Sequence, residues 1–250
     1  MKLLIITQTL DRNDPILGFF HRWVEEFARQ CERVHVLALN VSEYDLPENV
    51  TVHSLGKSEG KGRRTQLYRL CALSWRVRRE YDAVLAHMNP EYVLYGWLLW
   101  RALGKRIGLW YAHGTVSARL RLATALAAVV YTSTPEGFRL DSPKRQVVGQ
   151  GIDTDFFSPG SRSFAAGGVV RAITVGRVAP VKKLETLITA VAEANRTRPV
   201  HLTIVGPTAP SDEDYARSLR ALVAERGLTE VVAFLGGKSQ VETRDLLRTH

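Results

Sequence analysis

Cysteine is nearly absent from this 250-residue chain, which has only Cys31 and Cys71. Both fall on the apolar faces of expected helices, and nothing nearby supplies a CxxC pair or metal-ligand spacing, so a disulfide framework and a zinc site are excluded and a reducing cytoplasm is the simplest compartment. Long hydrophobic runs are also missing. The apolar start at residues 1–6 passes into polar residues with no small-residue cleavage site, and the most apolar stretch, 92–100, is too short to span a bilayer. No GxGxxG follows the first expected strand, which removes the basis for a dinucleotide-dependent oxidoreductase. Gly237-Lys238-Ser239 lies between a strand and a helix as a phosphate-binding loop would, but Val232 stands where that motif requires glycine, so nucleotide hydrolysis is excluded too.

The composition that remains, 45% hydrophobic and 24% charged, is that of a globular protein of about two domains. Positive charge is in excess: a net +9 favours anionic partners, whether sugar nucleotides, anionic lipid surfaces or nucleic acid. The densest basic cluster, 57–64 followed by Arg69, Arg76, Arg78 and Arg79, reads either as a solvated loop and helix face or as a patch for a membrane or an anionic acceptor. Nucleic acid is not an expected partner, because no recognition motif or interleaved aromatic and basic surface accompanies the charge.

Apolar, β-rich runs recur at 2–7, 34–39, 50–55, 83–87, 107–112 and 128–132, with helical patterns between most of them. Phe20, Trp23, Val24, Phe27, Ala28 and Cys31 share one helix face. Strands that are apolar throughout, alternating with such helices, indicate a parallel sheet covered on both sides, and hence an α/β fold of the doubly wound, Rossmann-like kind. The glycine- and serine-rich stretch 151–168 reads as a linker. A second series follows, with strands at 170–176, 201–206 and 231–236, one helix from Lys182 and another from about Ser211 to Gly227. The expected domains are 1–158 and 159–250. The final helical pattern, 238–250, has no C-cap, and the second series holds three strand-helix units against about six in the first, so the chain is expected to stop partway through its second domain.

Doubly wound sheets bind ligands outside the carboxyl ends of their strands. There Gly176 would let a ligand approach the backbone, Arg177 would take phosphate oxygens bidentately, and Lys182 would add a point charge beside a helix start. On spacing alone this is an anion clamp or a surface pair. The full string Val175-Gly176-Arg177-Val178-Ala179-Pro180-Val181-Lys182-Lys183-Leu184-Glu185-Thr186-Leu187-Ile188 closely resembles the donor-site signature of the retaining GT-B glycosyltransferases of family 4. The likeness continues through 201–207 and 231–236 and back through 147–159, and Lys183 stands where glycine is more usual.

The resemblance implies a GT-B fold of two Rossmann-like domains, the second incomplete, with Arg177 and Lys182 holding the donor diphosphate. It implies that Gly206 and Gly236 meet the nucleoside, the alternative being ordinary turn glycines, and that His113 contacts the donor sugar or its phosphates. His87, also at a strand end, is expected in an acceptor-side pocket. Gly18, in the 7–18 loop that lacks the family's paired glycines, either brings amides to a donor phosphate or is a simple helix start. The implied reaction is metal-independent transfer of a hexose from UDP- or GDP-hexose to a hydroxyl of a sugar, polysaccharide or lipid-linked acceptor, with retention of configuration. A donor phosphate oxygen takes the acceptor's proton. No cofactor is expected, and no Asp-x-Asp run is suited to holding a metal-bound donor. The expected role lies in surface polysaccharide, glycolipid or glycan synthesis, in the cytoplasm or at the inner membrane face.

Family members carry a pair of glutamates beyond the region where this sequence ends, and Glu242 has no partner at their spacing. The 250-residue chain alone is therefore expected to turn over little or no donor. The alternative is a non-catalytic nucleotide-sugar-binding or scaffolding fragment.

Overall fold

The computed structural model describes residues 1–160 and 168–250, so residues 161–167 of the expected linker lie outside the described residues. The chain divides into two compact units, Met1–Ile152 and Asp153–His250. The division falls earlier than 158/159 because the residues after Ile152 are held by the last helix of their own unit. The Arg248 guanidinium donates to the Ser158 carbonyl and Oγ, both at 3.2 Å, and Arg244 lies over the Phe156 ring.

The first unit runs β1 (Lys2–Leu10), α1 (Phe19–Gln30), β2 (Arg33–Val41), β3 (Val50–Ser54), α2 (Arg63–Arg76), β4 (Ala83–His87), α3 (Pro90–Ala102), β5 (Arg106–Trp110), α4 (Ala118–Leu126), β6 (Val129–Thr132) and β7 (Arg145–Val147). Its seven strands form one parallel sheet in the order β3-β2-β1-β4-β5-β6-β7. β1 shows why its sequence is apolar without alternation: Leu4 and Ile6 enter a core with α2, α3 and α4, while Leu3 and Ile5 enter a separate core with α1. The strand order reverses between β1 and β4, which places a crevice outside their carboxyl ends.

The two faces are unequally covered. Three helices pack on one, whereas on the other α1 sits beside a cavity of about 430 Å³ lined by Trp23, Phe27, Leu85, Trp110 and Tyr131. On the well-covered face Gly96 makes room for Trp100, whose ring would stand 2.2 Å from a β-carbon at that position. β7 was not expected. It is only three residues long, Val147 is its sole apolar residue, and Gln146 and Val147 are exposed, so neither periodicity nor an apolar run marks it.

The second unit runs β8 (Val170–Val175), α5 (Leu184–Ala194), β9 (Val200–Val205), α6 (Glu213–Glu225), β10 (Val232–Gly236) and α7 (Gln240–Thr249), with the strands parallel in the order β10-β9-β8. Leu184, Ile188 and Val191 of α5 and Ala216, Leu219 and Val223 of α6 close its core. Both helices start later than the expected Lys182 and Ser211, because 3-10 turns at Pro180–Lys182 and Pro210–Asp212 precede them. α6 ends as expected at Gly227, with φ at 65°; the Leu228 amide donates to Val223 and that of Gly227 to Ala224, the paired bonds of a Schellman cap. The Gly237-Lys238-Ser239 turn is a helix cap. Ser239 Oγ accepts from the Glu242 amide, the Glu242 carboxylate accepts from the Ser239 amide at 2.9 Å, and Lys238 pairs with Glu242. Among the described residues no helix is long and apolar enough to cross a membrane.

Candidate donor and acceptor sites

In the second unit the three strand-end loops are bonded to one another. The Gly176 amide donates to the Val205 carbonyl and the Gly206 amide to the Gly236 carbonyl, both at 2.8 Å, and the Val178 amide donates to Pro207. A β-carbon at Gly206 would stand 1.9 Å from the Gly176 carbonyl oxygen, so no other residue fits there. Gly206 is therefore a packing requirement, and its amide and that of Gly176 serve neighbouring loops. Gly236 differs: its φ is 70° and a β-carbon there would meet nothing within 4 Å.

Lys182 folds back over Gly176, with Cε 3.4 Å and Nζ 3.7 Å from the place a β-carbon would take. Arg177 and Lys182 are both exposed, and among the described residues neither has a carboxylate partner. Two uncompensated cations thus flank a bare stretch of backbone at the carboxyl edge of β8, an arrangement that attracts a compact polyanion. The expected helix start at Lys182 needs correction. Lys182 lies in the 3-10 turn, and Lys183 follows with φ 51° and ψ 44°, a left-handed conformation that accounts for glycine being the more usual residue. Nor is the start of α5 open: the Leu184 amide donates to the Tyr215 hydroxyl at 3.0 Å, and that hydroxyl donates to Glu185.

In the first unit the loop after β1 is closed on itself. The Asp14 carboxylate accepts from the amides of Ile16 at 2.8 Å and Leu17 at 2.7 Å, and its carbonyl accepts from Gly18. Gly18 therefore does not offer its amide to a phosphate. It is glycine because a β-carbon there would lie 2.6 Å from the Asp14 carbonyl oxygen.

His87 also needs correction. It is only 1% exposed, stacks on Phe20 at 3.9 Å and places Nδ1 3.1 Å from Thr7 Oγ1, while Nε2 is buried without a partner. Burial pulls its pKa down to about 3, so it is a neutral core side chain and not the wall of an acceptor pocket. Strand-end position alone could not reveal the ring that covers it. The next residue, Met88, has φ 63°, and the Asn89 amide closes a tight turn onto the His87 carbonyl at 2.8 Å.

His113 is exposed. Its own amide is fixed to the Gly137 carbonyl at 2.7 Å, and Nδ1 accepts from the Thr115 amide at 3.2 Å. In the neutral ring the proton is then on Nε2, which is left to donate to a ligand oxygen.

A cavity of about 360 Å³ that the sequence did not disclose opens at the same sheet edge, where Leu39, Leu55 and Asn89 lie near the carboxyl ends of β2, β3 and β4. Arg63, Tyr95 and Arg119 also line it, and they come from three helices, so no local spacing announces it.

Residues 163–249 match the family model described as glycosyl transferases group 1. In Anabaena HepE, solved with UDP-glucose, the matching region covers 96% of this chain and 70% of that one, at 17% identity and a TM-score of 0.67. Sucrose-phosphate synthase from Thermosynechococcus elongatus is matched over 100% of this chain and 73% of its own, at 16% identity and a TM-score of 0.71. The fold is GT-B. This GT-B chain is also 26% identical to the D-inositol 3-phosphate glycosyltransferase of Stackebrandtia nassauensis, over 90% of its length and 60% of that protein's. It therefore spans less than two thirds of that relative.

Proposed function

We propose that this chain serves a glycosyltransferase reaction in which a hexose passes from a nucleotide diphosphate sugar to an acceptor hydroxyl with retention of configuration, as in family 4. The observation that carries the reading is the pair of uncompensated cations, Arg177 and Lys182, beside the bare backbone of Gly176. The UDP and UDP-glucose bound by HepE favour a uridine diphosphate hexose as donor. The acceptor oxygen forms a bond to the anomeric carbon as the bond from that carbon to the diphosphate breaks, and the acceptor's proton passes to a phosphate oxygen. Arg177 and Lys182 bind the charge that develops on the departing diphosphate, which is electrostatic stabilisation without a metal or cofactor. The Nε2 proton of His113 suits a hydrogen bond to the donor sugar or its phosphate.

Calorimetric titration with UDP, GDP and UDP-glucose tests the reading. UDP and UDP-glucose should bind, and Arg177→Ala or Lys182→Ala should weaken binding on the order of tenfold without lowering the melting temperature. Equal binding by both variants would sink the proposal. Incubation with radiolabelled UDP-glucose and candidate acceptors then separates turnover from binding alone.

A further inference from the structure

The 360 Å³ cavity in the first unit has a floor and a rim of different chemistry. Leu39, Leu55, Leu67, Leu70 and the Tyr92 ring supply apolar surface, over which stand two guanidinium groups and one carboxylate. Glu91 is paired with Arg119 at 2.9 Å. The hydrogen bond that holds Arg63 goes to the neutral Tyr95 hydroxyl, so the rim keeps a surplus positive charge on a guanidinium already oriented by a fixed partner. A neutral sugar would leave that charge unanswered and the leucines uncovered. A small polar phosphate would answer the charge alone.

We propose that this cavity binds an amphiphilic phosphate ester, its phosphate on Arg63 and its apolar chain along Leu55, Leu67 and Leu70. The inference rests on the glycosyltransferase reading only in making that ester the acceptor; the binding itself stands on the cavity. Phosphate is a dianion or monoanion near neutral pH and takes two parallel N–H bonds from a guanidinium, while each buried methylene of the chain adds to affinity. The cavity volume lies within the range usual for small-molecule sites.

Calorimetry on the 250-residue chain tests this with three probes below their micellar concentrations: n-octyl phosphate, n-octyl glucoside and glucose 6-phosphate. Octyl phosphate should bind at least about tenfold more tightly than either of the others. Arg63→Gln should lose about tenfold of that affinity, Arg63→Lys should lose less, and Leu67→Ser should weaken octyl phosphate several-fold while leaving glucose 6-phosphate unchanged. Octyl glucoside binding as well as octyl phosphate would overturn the charged half of the proposal, and glucose 6-phosphate doing so would overturn the apolar half. An unaltered affinity in Arg63→Gln would overturn the site. UDP titrated into the same variants should bind as to the parent chain, so loss of the donor reading and loss of this one are told apart. Arg63 is exposed at the first turn of α2, and a thermal melt of each variant verifies that it folds.

Discussion

The loop after β1 and the loop after β8 stand at equivalent places in their own sheets, yet they are built in opposite ways. After β1 the chain answers its own amides with the Asp14 carboxylate, and the neighbouring strand end buries His87 under Phe20. After β8 the amides of Gly176 and Gly206 are bonded between loops, and among the described residues Arg177 and Lys182 have no carboxylate partner. The first arrangement answers its loop amides from within the chain, while the second leaves two exposed cations unanswered by any carboxylate among the described residues. A doubly wound topology therefore offers a place for a ligand at every strand end, and the local side chains decide which ends are used.

The contrast can be broken most severely at Gly206. Gly206→Ala should cost about 3 kcal/mol or more, because its β-carbon collides with the Gly176 carbonyl, whereas Gly236→Ala meets open space and should cost only about 1 kcal/mol for its positive φ. Differential scanning calorimetry of the two variants decides this.

Charge comes next. Arg177→Ala should cost about 1.4 kcal/mol of UDP affinity, a tenfold loss, with stability unchanged, while Asp14→Ala should cost about 1 kcal/mol of stability with UDP affinity unchanged. If Asp14→Ala also weakened UDP binding, the loop after β1 would belong to the donor site and the contrast would fail.

Acid should act on the first unit. Burial holds His87 at a pKa of about 3, and burial with His35 and Arg76 nearby holds His53 at about 4. Both values are below the unfolded value of 6.5, so the unfolded chain binds the extra protons, and stability present above pH 6.5 is lost as pH falls toward the folded values. Each group contributes a slope of about 1.4 kcal/mol per pH unit in that window. All five tryptophans lie in the first unit, so urea unfolding followed by tryptophan fluorescence reads it selectively. The double variant His53→Gln/His87→Gln should weaken the dependence between pH 6.5 and 4.5, leaving the part due to His21 and His35, whose pKa values burial also lowers.

The smallest effect is expected at Lys183. Lys183→Gly relieves a left-handed conformation but frees the unfolded chain, and should stabilise by about 0.5 kcal/mol. UDP affinity should stay as it was, since neither Arg177 nor Lys182 is altered.

Much of the scaffold was legible because it depends on local periodicity. The unbroken apolar run of β1 and the stripe Phe20, Val24 and Ala28 correspond to the two cores found, and Gly227 marked a helix end through its own backbone requirement. Where contacts between distant residues decide the outcome, the sequence was silent. Phe20 covering His87, and Arg63, Tyr95 and Arg119 meeting around one cavity, leave no spacing to read. The starts expected at Lys182 and about Ser211 fall inside 3-10 turns, because a proline opens such a turn as readily as the first turn of a helix.

The contact between Gly206 and the Gly176 carbonyl also bears on how this part of the molecule can drift under mutation. With every side chain excluded at position 206, any change there must be accompanied by a rearranged path of the β8 loop. The two loops thus form a single unit of inheritance: insertions or substitutions that shift one must arise together with a matching change in the other. Variation is left to the exposed side chains around them, such as Arg177 and Lys182, which can be exchanged one at a time.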